Sequence, residues 1–171
     1  MTFGTLCRTR LKILQPFLKG ECVWDLGCGY TRGHTNLLLK VGVSELHLLD
    51  KTPIKGHSDS RVNLHPGTQF VDMKPLEEKD VAFLSWPCPN CSFGLSEAVK
   101  EAKTVIYIGR NDDYTVCGDE DLWSTMVRRE PVVTHEGQRD VMIVYSKQPR
   151  TLDLHLEEKN GIRAACWSSN P

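Results

Sequence analysis

The sequence predicts an α/β protein, a three-layer α/β/α sandwich on a mainly parallel seven-stranded sheet with a terminal antiparallel hairpin. Three observations predict it. Five short apolar runs recur between residues 22 and 108, most of them separated by segments of helical periodicity, and such alternation favours parallel strands covered by helices on both faces. The first run ends Asp25-Leu26-Gly27-Cys28-Gly29, an acid followed by two glycines one residue apart. Near the end, Val132–Thr134 and Val141–Tyr145 flank Glu136-Gly137-Gln138-Arg139, close enough for a reversed hairpin.

The elements follow in order. Leu6, Leu11, Ile13, Leu14, Phe17 and Leu18 have helical spacing, so residues 5–19 form a leading helix, broken or kinked near Pro16. Cys22–Leu26 is the first strand, buried on both faces. Thr31 or Thr35 caps a helix carrying Leu37, Leu38 and Leu39, which stops near Gly42. Glu45–Leu49 is the second strand and runs into Asp50. From Lys51 to Pro66 the pattern fades, so the next helix is short or replaced by a loop. Gln69–Asp72 reads as the third strand and Asp80–Ser85 as the fourth. Trp86-Pro87-Cys88-Pro89-Asn90 then leaves the sheet. Ser92–Ala102 is a helix, Thr104–Ile108 the fifth strand, and Asp119–Val127 a helix with Leu122, Trp123 and Met126 inward.

A chain of 171 residues fits one domain, taken as 1–149, with a C-terminal extension at 150–171. Within that extension Leu152–Leu156 alternates, as an added edge strand or a partly disordered tail would. The formal charge of −1 gives no global field toward nucleic acid or anionic membrane. No apolar run approaches the ~18 residues of a membrane span, and no secretory signal is recognisable. Seven cysteines, an odd number spread along the chain, imply reduced thiols and a cytoplasmic compartment. Cys88 and Cys91 have metal-pair spacing, but a structural zinc site needs a second pair and none exists, so no metal is expected.

In such a sheet, ligands bind at the carboxyl ends of strands near the switch point. That rule gathers the loops after Leu26, Leu49, Val71, Ser85 and Ile108 into one crevice. Gly27 and Gly29 let a ligand approach the backbone, and Asp50 is placed to hold a ribose diol. A dinucleotide fingerprint would want a third glycine where Arg32 stands. Asp25, two residues before the first glycine, would repel a diphosphate but attract a cationic ligand end. A nicotinamide-dependent oxidoreductase is therefore disfavoured. A cofactor with an ammonium and a sulfonium at one end and an adenosine ribose at the other is S-adenosylmethionine.

Trp24-Asp25-Leu26-Gly27-Cys28-Gly29 resembles the first motif of class I (Rossmann-like) S-adenosylmethionine-dependent methyltransferases. The resemblance covers about residues 10–147. It implies Asp50 as the acid on the ribose hydroxyls, Asp72 as the adenine-side contact and the hairpin as the reversed seventh strand. Thr31 stands where many members carry a third glycine. Ser85-Trp86-Pro87 and Tyr107-Ile108-Gly109 are similar to uncharacterised methyltransferase-like proteins with Trp-Pro after strand four, a likeness that brings no substrate with it.

The implied cofactor contacts are thus Asp25, Gly27, Gly29, Asp50 and Asp72. The candidate catalytic residues are Ser85, to orient an acceptor; Trp86, to stack on a planar one; and Asp112, on the loop after strand five, as general base. Arg110, Asp113 and Tyr114 share that loop with Asp112, and His34 and His135 are weaker candidates. Pro87-Cys88 echoes the thiolate of cytosine-5 methyltransferases, but no Glu-Asn-Val follows strand five. The acceptor is unidentified, a small molecule or a protein side chain being favoured. Nucleic acid stays open if Arg8, Arg10, Lys12, Arg128 and Arg129 share a face. The alternative is a non-catalytic subunit of the same fold acting as a regulatory or assembly partner, with a protein partner or a homodimer left open.

Overall fold

The computed structural model describes residues 6–29, 33–88, 93–110, 117–138 and 140–147, with the backbone of 162–163. Five strands run parallel: β1 (Cys22–Leu26), β2 (Glu45–Asp50), β3 (Val62–Pro66), β4 (Val81–Ser85) and β5 (Thr104–Gly109). β6 (Pro131–Glu136) and β7 (Val141–Ser146) form the hairpin, and β7 runs antiparallel against β5. A two-residue strand β8 (Ile162–Arg163) pairs with β6, and Leu152–Leu156 lies outside the described residues. The sheet order is β3-β2-β1-β4-β5-β7-β6-β8.

The two sheet faces bury separate clusters. One takes Val23, Leu46, Leu48 and Phe83 with Ile13, Leu14, Phe17 and Leu18 of helix α1 (Arg8–Leu18) and Leu38 and Leu39 of α2 (Thr35–Val41). The other takes Leu26, Leu84 and Tyr107 with Leu95 and Val99 of α3 (Leu95–Val99) and Leu122, Trp123 and Met126 of α4 (Glu120–Met126). Truncating a core leucine such as the fully buried Leu14 to alanine would cost about 2–5 kcal/mol. Pro16 lies inside α1, which remains one helix. Asp119 caps α4 by accepting the Leu122 N–H at 2.8 Å, and Gly42 ends α2 in the left-handed conformation.

Two expectations are corrected. Strand three is Val62–Pro66, not Gln69–Asp72. Its edge position leaves all five residues half-buried or exposed, so the apolar signal is weak, yet it pairs with β2 from Leu46↔Val62 to Asp50↔Pro66. Phe70–Asp72 is instead a 3-10 turn closed by Asp72 N–H to Gln69 O. The N-cap of α2 is His34, with no side-chain cap bond; Thr35 is its first helical residue, and Thr31 lies outside the described residues. Residues 51–60 contain no helix, as the faded pattern anticipates.

Candidate functional site

The sheet order reverses between β1 and β4, and a cleft opens at their carboxyl ends. Leu26 and Gly27 after β1, Asp50 and Lys51 after β2, Thr68–Phe70 after β3, and Trp86–Cys88 after β4 line it, with Phe93. Its volume is about 260 Å3, below the roughly 300–1,000 Å3 typical of small-molecule sites, so these walls account for part of a site.

The glycine turn sits where β1 stops. Gly27 and Gly29 have φ of +85° and +70°, which side-chain-bearing residues rarely adopt. The N–H groups of Gly27 and Cys28 both donate to Leu49 O, tying the turn to β2. Asp50 completes the link: Oδ2 accepts the Gly29 N–H at 2.8 Å, and Oδ1 accepts the N–H and hydroxyl of Thr52 at 2.9 and 2.7 Å. The carboxylate is therefore held by three donors and pointed at the turn, and Oδ2 keeps acceptor capacity. Phe70 covers the turn from the other side, its Cζ 3.9 Å from where a Gly27 Cβ would stand.

Asp25 is not among the residues lining the cleft; its side chain leaves the sheet face it shares with Val23, Leu48 and Phe83. It is 1% exposed, and Oδ2 has no hydrogen-bond partner among the described residues. Burial, reinforced by the Asp50 charge, pushes its carboxyl up to about 7. Thr35 Oγ1, at the start of α2, is likewise buried and without a partner among the described residues. Two orphaned polar atoms thus flank the glycine turn in the chain, and such atoms call for a ligand group or water.

At the end of β4, Ser85 pairs with Ile108 but is not among the residues lining the cleft. Trp86 is there, packed against both core clusters while its ring borders the cleft. Its φ of +51° is unusual for a bulky residue, and its N–H donates to Ile108 O at 2.7 Å. Pro87 O accepts the Gly118 N–H, so the turn after β4 is pinned from both sides. Strain of this kind is retained where neighbours over-determine it, commonly at ligand sites.

The remaining candidates divide. Asp72 is exposed on the 3-10 turn and does not line the cleft; Gln69 and Phe70, read as strand residues, do. Asp112, Asp113 and Tyr114 lie outside the described residues, as does Cys91. His34 packs its ring edge-on against Phe83, with centroids 5.4 Å apart. His135 sits beside Arg10, which is 3% exposed and bonded to Asp140 at 2.6 Å. Arg129 donates to the carbonyls of Val99, Lys100 and Ala102, closing the end of α3. Two of the five cations considered for a basic face are thus used inside the fold. Among the described residues, Cys7, Cys22 and Cys117 carry thiols outside any disulfide. Among the described residues no helix is long and apolar enough to cross a membrane.

No family model and no curated protein matches this sequence. Solved structures do match it by shape. A candidate hemolysin from Streptococcus thermophilus superposes at a TM-score of 0.55 and 14% identity over 87% of this chain and 69% of the other. A candidate tRNA methyltransferase from Streptococcus pneumoniae, solved with S-adenosyl-L-methionine, gives 0.53 and 11% over 85% and 75%. The S-adenosylmethionine-dependent O-methyltransferase of Thermotoga maritima gives 0.52 and 13% over 88% and 68%. At these identities the fold is shared: the chain adopts the α/β fold of class I methyltransferases.

Proposed function

We propose that this protein binds S-adenosylmethionine and transfers its methyl group to an acceptor that enters beside Trp86. The observation that carries this reading is the Gly27–Gly29 turn held to Asp50 at the switch point, since it presents open backbone and an anchored carboxylate in one place. The residues fit the cofactor on further counts. Asp50 retains acceptor capacity toward a ribose diol. Asp25 is a buried acid whose Oδ2 has no hydrogen-bond partner among the described residues, suited to an ammonium. Gln69 and Phe70 offer an amide and a ring to a base.

Bound there, the cofactor supplies a sulfonium-activated methyl group, so transfer depends mainly on alignment. The chain's part is then positional. Gly27 and Gly29 admit the ligand without a Cβ in the way, Asp50 sets its depth, and Asp25 compensates its cationic end. Trp86, fixed by its N–H bond to Ile108 O, offers a ring face for a planar acceptor, with Ser85 one residue before it. Asp112 is the proposed base for an acceptor that must lose a proton.

Calorimetric titration with S-adenosylmethionine and with its demethylated product tests the reading. Both should bind the wild type, and Asp50→Ala should bind at least about tenfold more weakly, having lost charge-assisted bonds worth ~1.5–3 kcal/mol each. A wild type that binds neither ligand, or an Asp50→Ala that binds equally well, would sink the proposal.

A further inference from the structure

We propose that Cys22, Glu45 and His47 form a site for one divalent metal ion of the zinc class, at the end of the sheet opposite the crevice. Parallel register sets Cys22 beside Glu45 and Trp24 beside His47, so all four side chains leave the same sheet face at the amino ends of β1 and β2. One ligand atom from each of Cys22, Glu45 and His47 lies within 4.8 Å of the other two. His47 Nε2 and Glu45 Oε1 are 3.2 Å apart. Two ligands of a tetrahedral zinc, each ~2.0–2.1 Å from the ion, stand about 3.3 Å apart, so the spacing already suits one.

The surroundings of the ligands strengthen the case. His47 Nδ1 and His65 Nε2 are 2.9 Å apart, a hydrogen bond that leaves His47 Nε2 as the nitrogen facing Glu45. Asn63 Nδ2 donates to Glu45 Oε1 at 2.9 Å. Trp24 stacks on His47 with centroids 3.9 Å apart and planes within 5°, fixing the plane of the ring. An imidazole and a carboxylate each oriented by an outer hydrogen bond are the usual support of metal ligands. The donor set selects the ion: a thiolate and an imidazole suit zinc-class cations, whereas magnesium and calcium want oxygen. Three protein ligands leave a fourth position for water, and Glu45 is half exposed, giving solvent a route. On binding, a metal–sulfur bond forms and the Cys22 thiol proton leaves to solvent.

Anaerobic titration of the reduced, full-length chain with Co2+ reads the site directly. One equivalent should produce a thiolate-to-cobalt charge-transfer band together with the visible bands of a four-coordinate ion. Cys22→Ser should abolish the charge-transfer band, and His65→Gln, which removes the outer hydrogen bond and the ring stacked beside Trp24 and His47 but no ligand atom, should weaken Co2+ about 10- to 100-fold. A Cys88→Ser/Cys91→Ser double variant should keep the band, and circular dichroism verifies that each variant is folded. If Cys22→Ser does not fold, His47→Gln replaces it and must weaken Co2+ at least tenfold. No band in the wild type, or a band that survives Cys22→Ser, means that the three groups are only a hydrogen-bonded cluster and overturns the proposal.

Discussion

Replacing Asp25 with asparagine should stabilise the ligand-free protein, and by more as pH rises. Asp25 is fully buried, and burial together with the Asp50 charge holds its carboxyl at about 7 against 3.8 in the unfolded chain. Below 3.8 both states carry the proton, and above about 7 neither does. Between those values only the folded state binds it, so stability falls as pH rises, by about 1.4 kcal/mol per pH unit. Over the whole interval the loss is about 4 kcal/mol, a large share of the ~5–15 kcal/mol a domain holds. Burial lowers the pKa values of His47, His65 and His135, which moves stability the other way below pH 6.5. The quantity to follow is therefore the difference between wild type and Asp25→Asn, in which the histidines cancel. Urea unfolding at pH values from about 5 to 8 should show that difference growing by roughly 2–3 kcal/mol between pH 5 and 7, then levelling. A difference independent of pH would refute the reasoning, because it would mean that Asp25 is not held protonated by its burial. A stabilising effect of this size would also indicate why the acid is there: a cost carried by the free protein is offset when a cationic group arrives.

Three further perturbations probe the fold. Asp140→Ala removes the carboxylate bonded to the buried Arg10 guanidinium and should cost about 3 kcal/mol in denaturant unfolding; adding Arg10→Met should recover part of it, and strict additivity of the two changes would argue against the pairing. Gly94→Ala would place a Cβ 2.7 Å from the Val71 backbone nitrogen at a φ of +86°, and should cost upwards of about 2 kcal/mol. Gly29→Ala meets nothing within 4 Å among the described residues and should cost only the ~1–2 kcal/mol of its left-handed backbone, so equal losses at the two positions would contradict the packing described.

Much of the crevice was legible before any coordinates. Asp25, Gly27, Gly29 and Asp50 declare themselves because they stand at or just past the ends of β1 and β2, where the apolar run and its break are unambiguous. The third strand was not legible, because Val62–Pro66 is an edge strand with half-exposed polar alternates, while Gln69–Asp72 carried the more apolar local pattern. The same misplacement hid the wall that Gln69 and Phe70 give the cleft, while Asp72 is exposed on the 3-10 turn outside that lining. Arg10 and Arg129 read as surface cations, and only tertiary contacts reveal them as internal ties.

The sequence by itself determined the class of fold, the glycine turn and the acids beside it, because strand periodicity and glycine conformational freedom act over a few neighbouring residues. Only the tertiary structure decided what lies next to what. It put Asp50 on the Gly29 N–H, left Asp25 buried with an oxygen that has no hydrogen-bond partner among the described residues, placed Trp86 at the cleft with positive φ and set Cys22, Glu45 and His47 on one face. Those outcomes follow from strand register, and register is fixed by burial summed over the whole sheet, which no local stretch of residues contains.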